Sequence, residues 1–349
     1  MKEIDYIVVG CGLASIAFCE ELRANNKSFI VFDNNSQKSS LVAAGLYNPV
    51  ILKRFSAVWK AKEQLEIALP HYAKIERELD IKIDYKLKIQ RRFASIEEQN
   101  LWFNAMDKPN VEPYLSDQLI KNSNDFINAP FGFGEVLGAG RIDTDTLITS
   151  YKEFLNSIGN LREEDFLHAE LKNASNIITY KNLLAKHVVF AEGFGVKKNL
   201  YFKEIPINGT KGEVLTVKAP SLKIDFAIKS SVFIIPLGND NYIVGSTYNR
   251  KDKTNTITEE GKNEILSKLK TFVSSDVEVI EHVAAVRPTV IDRRPVVGTH
   301  STFKNIHILN GLGSRGVMVA PYVAKKLYNV IENNLALDCE IDVKRFSKN

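Results

Sequence analysis

The first apolar stretch, residues 6–9 (YIVV), is an unbroken run that ends directly in Gly10. A run apolar on both faces predicts a buried parallel strand. Behind it Leu13, Ile16, Ala17, Phe18 and Leu22 recur at helical spacing, and residues 28–32 form a second β-rich run closed by Asp33. Together they predict a βαβ unit of about 30 residues. Residues 56–80 are amphipathic, and Pro70 is expected to break or kink that helix. Residues 83–93 alternate as a strand, residues 97–106 recur as a helix, and residues 108–133, rich in Pro, Asn, Asp and Ser, predict irregular chain. A helix follows from a cap at Asp143 or Thr144 to about Ser157. Residues 164–171 and 176–180 are short strand candidates.

The pattern changes in the second half. "KHVVFAEGFG" (186–195) repeats the motif of a buried strand ending in Gly-x-Gly. Residues 209–248 then carry β-rich runs separated by turn chemistry, which predicts an antiparallel sheet and hence a second domain inserted into the first. Residues 258–273 predict one helix, with Glu259 and Glu260 in its first turn. "VEVIEHVAAVRPTVIDRRPVVG" gives a strand and two Arg-Pro steps. The strand at 306–309 meets a loop with Gly311, Gly313 and Gly316 and then a long amphipathic helix.

The chemistry of the first corner explains its residue types. Gly10 permits a tight turn, and Gly12 lets backbone approach a pyrophosphate, whose charge is favoured by unpaired N–H groups at a helix start. Leu13 and Ala14 open that helix, and the third position of the motif needs only a small residue, here Ser15. Asp33 stands where a carboxylate accepts from ribose hydroxyls and disfavours a 2′-phosphate. A bare strand-to-helix corner is the alternative, and the corner alone does not choose between NAD and FAD.

Composition narrows the class. The 349 residues leave room for two domains, and a net charge of +4 does not by itself argue for nucleic acid or a membrane surface. Cys11, Cys19 and Cys339 form no CxxC, and the six histidines form no HExxH, so no disulfide framework or metal site is expected. No apolar run reaches membrane-spanning length. The few residues before Gly10 leave no room for a cleavable signal, which makes the cytoplasm the expected compartment. The basic residues Lys86, Lys88, Arg91 and Arg92 are expected to form a solvated face.

The ordered set "VVGCGLAS", "SSLVAAGLYNP", "VVFAEGFG", "FIIPLGNDNYIVGSTY", "AAVRPTVIDRRPVVG" and "GLGSRGVMVAP" resembles the D-amino-acid oxidase/glycine oxidase superfamily of FAD-dependent oxidoreductases and spans nearly the whole chain. "GLGSRG" also resembles the flavin domain of the enzyme that finishes the methylaminomethyl group of tRNA wobble uridine. The resemblance implies an α/β (α+β overall) protein: a Rossmann-like FAD-binding domain (1–80, 135–205, 286–349) with an inserted, mainly antiparallel β substrate domain (81–134, 206–285). It implies FAD as cofactor, with Gly10, Gly12 and Ser15 toward the pyrophosphate and Asp33 toward the ribose. Ser40, Ala43, Ala44 and Gly45 would run along the isoalloxazine, with Gly193 nearby. Gly311, Gly313, Ser314, Arg315, Gly316 and Val317 would present N–H groups to the flavin pyrimidine end, where a helix start stabilises an anion.

For the substrate, the resemblance implies that Arg287 pairs with a carboxylate through its two-pronged guanidinium, with hydride passing to flavin N5 and the imine hydrolysing in water. Arg315 is a second candidate. The family's phenol is replaced by Phe233, for which Tyr248 is a possible substitute, and Glu192 stands where a small residue is usual. The expected activity is oxidation of the C–N bond of an amino acid or N-substituted glycine, with a small amine or amino acid as partner. Two alternatives stand beside it. One is a tRNA wobble-uridine oxidase, which would need a basic surface by the cleft. The other is an NAD-binding or non-catalytic Rossmann protein.

Overall fold

The computed structural model describes residues 1–346, so the last three residues of the expected segment 286–349 lie outside the description. Two eight-stranded sheets dominate. The first has a parallel core in the order Leu161–Arg162, Phe29–Phe32, Lys2–Val9, Leu183–Phe190, Ile306–Asn310. Both faces of this core are covered, which is why residues 6–9, the buried end of Lys2–Val9, read as a continuous apolar run. Tyr6 and Val8 pack under the helices Leu13–Ala24, Ala61–Leu79, Thr144–Ser157 and Gly316–Asn333, while Ile7 and Val9 face the opposite cluster with Phe32, Phe166 and Tyr180.

The second sheet runs Glu278–Val290, Ile207–Lys218, Asn241–Gly245, Phe233–Gly238, Ala227–Lys229, Ile89–Arg92, Phe133–Val136, Leu115–Ile120. It is antiparallel except where Ala227–Lys229 meets Ile89–Arg92. This is the expected mainly antiparallel partner of a Rossmann-like sheet. The expected limits at 134/135 and 285/286 fall inside the strands Phe133–Val136 and Glu278–Val290, each of which stays with the second sheet along its length.

Four local expectations are corrected. The helix Ala61–Leu79 passes through Pro70 unbroken. Pro70 faces solvent, where water can satisfy the carbonyl it leaves free, while Leu65, Ala68, Tyr72 and Ile75 hold the buried side. Residues 108–133 contain the edge strand Leu115–Ile120, whose polar, bulged sequence hides the strand period. Residues 83–93 divide into Asp84–Tyr85 and Ile89–Arg92, which join different sheets. Residues 164–171 are not a strand: His168–Glu170 is a single tight turn, and Phe166 is held by stacking on Tyr180 at 4.1 Å between ring centres.

Candidate active site

Four parallel strands deliver Gly10, Asp33, Ala191 and Gly311 to one edge of the first sheet, where open α/β sheets bind ligands. A cavity of about 1190 Å³ opens there and extends under the second sheet. That exceeds the usual volume of a small-ligand pocket and leaves room for a dinucleotide with a substrate beside it. Gly10, Gly12, Leu13, Ala14 and Asp33 line one part, Ser40, Ala43, Ala44, Gly45 and Gly193 another, and Gly313, Ser314, Arg315, Gly316 and Val317 a third. The glycine corners from opposite ends of the chain therefore share one cleft.

Two expected members stand behind the wall. Ser15 is fully buried in the first helix, and its hydroxyl has no partner. Gly311 is buried at a φ of +76°, where a Cβ would come within 2.5 Å of Val290; it makes the turn but does not line the cavity.

The backbone at each corner is built for close approach. Gly10 has a φ of +99°, and a Cβ there would lie 2.6 Å from the Ala191 carbonyl oxygen. Gly12 has an extended backbone and begins the helix Leu13–Ala24, which no side chain of Gly12 can cap. The helix Gly316–Asn333 likewise starts without a side-chain cap from Arg315. Not every N–H expected to face a ligand is free: Leu13 donates to the Ser40 hydroxyl at 3.3 Å, Gly311 to Asn310 Oδ1, Gly313 to the Pro288 carbonyl and Arg315 to the Leu312 carbonyl. The other first-turn N–H groups of the two helices face one cavity, a setting that favours anions. Asp33 lines the cavity and is ion-paired with Lys152.

Under the second sheet the cavity is cationic. Arg287 lies across Gly212, where an added Cβ would meet its guanidinium at 2.0 Å, so only glycine leaves room for it. Its Nη2 donates to the Ser246 hydroxyl at 2.9 Å, and its buried Nη1 has no partner. The Tyr248 ring lies 4.8 Å from the guanidinium carbon and is itself 60% exposed, so its place is against the arginine at the cavity mouth. Burial lowers the Arg287 pKa from its ordinary value, and burial with Arg294 nearby lowers that of Arg315.

Phe233 lines the same wall, and Lys229 Nζ sits 4.4 Å above its ring centre. Burial, then Arg91 and Arg287, push the Lys229 pKa down to about 8. Sequence reasoning passed over Lys229, Gly212 and Ser246, because a lysine in a strand and a glycine opposite an alanine carry no motif. Glu192 lines the cavity but is engaged: it accepts from Asn199 at 2.7 Å and pairs with His168 at 2.7 Å. Of the expected solvated basic face, Lys86 and Lys88 are exposed, whereas Arg91 is held by Glu98 at the cavity wall and Arg92 donates to the Asn128 carbonyl.

Comparison with known proteins decides the nature of this cleft. The family described as FAD dependent oxidoreductase matches residues 5–329. The chain belongs to this family of FAD-dependent oxidoreductases. Glycine oxidase of Bacillus subtilis is 25% identical over 260 residues, covering 69% of this chain and 68% of that protein. The crystal structure of glycine oxidase from Geobacillus kaustophilus superposes with a TM-score of 0.82 at 18% identity, covering 100% of both chains. The tRNA 5-methylaminomethyl-2-thiouridine biosynthesis bifunctional protein of Campylobacter jejuni is 24% identical over 140 residues. That match covers 38% of this chain and only 23% of the bifunctional protein. The cofactor is FAD, and the Rossmann-like fold and oxidoreductase class read from the sequence stand.

The residues present fit that cofactor. The side-chain-free cradle at Gly12 and Gly313 and the first turns of two helices that open on the cavity suit its pyrophosphate and flavin ring. Among the described residues no cluster of His, Cys, Asp and Glu could hold a metal ion, and no helix is long and apolar enough to cross a membrane.

Proposed function

We propose that this oxidoreductase oxidises the C–N bond of a small amine that carries a carboxylate, an amino acid or an N-substituted glycine. The observation that carries the reading is the buried, half-satisfied fork of Arg287, seated on Gly212 and steadied by Ser246 and Tyr248. A buried charged donor left unpaired is costly, and a carboxylate accepting two parallel hydrogen bonds removes that cost. When bound, FAD supplies the acceptor for the hydride that leaves the carbon beside nitrogen, and water hydrolyses the resulting imine.

The chain's contribution is placement and electrostatics. Arg287 fixes the carboxylate end, and Phe233, Val214 and Ala285 give the wall beside it an apolar surface. The positive charge of Arg287 and Lys229 disfavours an ammonium and favours the neutral amine, the form that can release hydride. Arg315, at the start of the last helix, adds to the positive field on the flavin side of the cleft. The similarity to glycine oxidase supports a small amino-acid partner. The three free cysteines fit a reducing cytoplasm as the place of reaction.

The test is anaerobic bleaching of the flavin across a panel of amines, with a tRNA bearing carboxymethylaminomethyl uridine included. Bleaching by carboxylated small amines, lost or strongly weakened in Arg287→Ala, supports the reading. Bleaching only by the tRNA, or only by amines without a carboxylate, overturns it.

A further inference from the structure

Lys229 has no role in the chemistry above beyond its charge, yet it occupies the wall of the active cavity. Its place is fixed by register. Arg91, Lys229, Phe233, Gly245 and Val214 lie side by side across five strands of the second sheet, and all five line the cavity. Lys229 is held over the face of Phe233. On the far side of Phe233 comes Gly245, then Ser246, which accepts from Arg287. Neighbouring strands are about 4.8 Å apart, so the strand of Lys229 and the strand beneath Arg287 are separated by about 14 Å. The two cationic side chains reach inward from opposite sides of that gap.

Among the described residues Lys229 Nζ has no hydrogen-bond acceptor and no carboxylate in reach, whereas its neighbour Arg91 is bound to Glu98 at 2.5 Å. The carboxylates that line the cavity are all engaged elsewhere: Asp33 by Lys152, Glu164 by Lys181, Asp165 by Asn34 and Glu192 by His168. Arg287 and Lys229 therefore face the second-sheet part of the cavity with no counter-charge, and Arg315 at the start of the last helix supplies none. Keeping a cation in such a place is costly unless an anion arrives to pair it. One carboxylate satisfies Arg287 and leaves Lys229 bare.

We propose that Lys229 forms a second anion subsite and that the preferred substrate is a small amine with two carboxylates, one on Arg287 and the other on Lys229. This deepens the reading of Arg287 given above and rests on it. The apolar ring of Phe233 between the two subsites lies where the short chain joining the carboxylates would pass, and it offers that chain no competing hydrogen bond.

Matched pairs test the subsite in the FAD-loaded enzyme. Anaerobic flavin bleaching compares iminodiacetate and N-(2-carboxyethyl)glycine with N-methylglycine, which keeps the secondary amine and loses one carboxylate. Calorimetry compares thiodiacetate with (methylthio)acetate, which have no amine and cannot be oxidised at nitrogen. The dianion of each type is expected to win by about tenfold or more in kcat/KM or in affinity, the worth of one hydrogen-bonded charge. Lys229→Met should erase most of that preference, with the change in KM rather than kcat, while Lys229→Arg should keep much of it. Equal handling of dianion and monoanion by the native enzyme, or an unchanged preference in Lys229→Met, overturns the proposal. If no amine bleaches the flavin, the oxidation reading falls, and thiodiacetate binding still decides whether Lys229 receives an anion.

Discussion

Arg287 and Gly212 act as one unit, because the guanidinium lies where a Cβ on Gly212 would be. Removing the charge in Arg287→Ala should cost about 2–5 kcal/mol of substrate binding, roughly 30-fold or more in kcat/KM, with flavin retained. The glycine gives a subtler probe. Gly212→Ala keeps the arginine but pushes it off its seat and away from Ser246, and a misplacement of about 1 Å can cost about 10²-fold. Steady-state kinetics should therefore show Gly212→Ala impaired on carboxylated amines while its flavin spectrum stays native. An unimpaired variant would mean that Arg287 does not hold the substrate from this position. Lys229 adds a pH signature. Burial first, and then the charges of Arg91 and Arg287, lower its pKa to about 8. The lysine loses its charge as pH rises through about 8, so thiodiacetate should bind more weakly above that pH. (Methylthio)acetate, which does not reach Lys229, should lack that alkaline loss. Of this constellation the sequence revealed Arg287, Arg315, Tyr248 and Phe233, through ordered motifs. Lys229, Gly212 and Ser246 were illegible because their meaning lies in cross-strand register, and no local spacing encodes it.

At the scale of elements, the strand–glycine–helix corners were the most legible part of the chain. An apolar run ending in glycine and followed by helical recurrence leaves the backbone few alternatives. The second sheet was legible as β-rich but not in its order, since edge strands such as Leu115–Ile120 are polar and short. Pro70 misled for a related reason: a proline on the exposed side of a well-packed helix costs a hydrogen bond that water replaces. The corners also differ as mutational probes. Gly10 has a positive φ and almost touches the Ala191 carbonyl, so a side chain there would disturb the fold itself. Gly12 has a φ of −98° and ψ of −170°, which any residue can adopt, and a Cβ there would first meet the Ser40 hydroxyl, the movable end of a side chain, at 2.9 Å. Gly12→Val should therefore fold and yet be purified colourless, its branched side chain filling the space the pyrophosphate needs. Absorbance of the purified variant and its circular dichroism, read together, check this. A folded Gly12→Val with full flavin content would remove the pyrophosphate from this corner.

Across the whole molecule, the cleft is assembled from segments far apart in sequence. Gly316, at the start of the last helix, sits close enough to the first helix that a Cβ would meet Leu13 at 3.1 Å. Asn310 donates to the Gly193 carbonyl at 2.9 Å, and Gly313 N–H donates to the Pro288 carbonyl at 3.1 Å, which ties the last corner both to the middle of the chain and to the strand that carries Arg287. A dinucleotide in this cleft would touch all of these at once, so its binding energy is also energy for holding the two sheets together. A ligand that binds only the folded state stabilises it by about 4 kcal/mol when present at a thousandfold over its Kd. Stripped protein should thus melt several degrees below the FAD-loaded form, and added FAD should restore the Tm in a concentration-dependent way. With its ribose and pyrophosphate expected at the corner of Gly12 and Asp33, ADP should restore less. Gly12→Val should show no response to either ligand. If ADP restored as much as FAD, the clamp would reside in the first sheet alone and the far corner at Gly313 would contribute nothing to holding the cofactor. A larger response to FAD would mean that both ends of the chain close on one ligand, and the substrate wall with Arg287 and Lys229 would then be positioned by cofactor binding as well as by the fold.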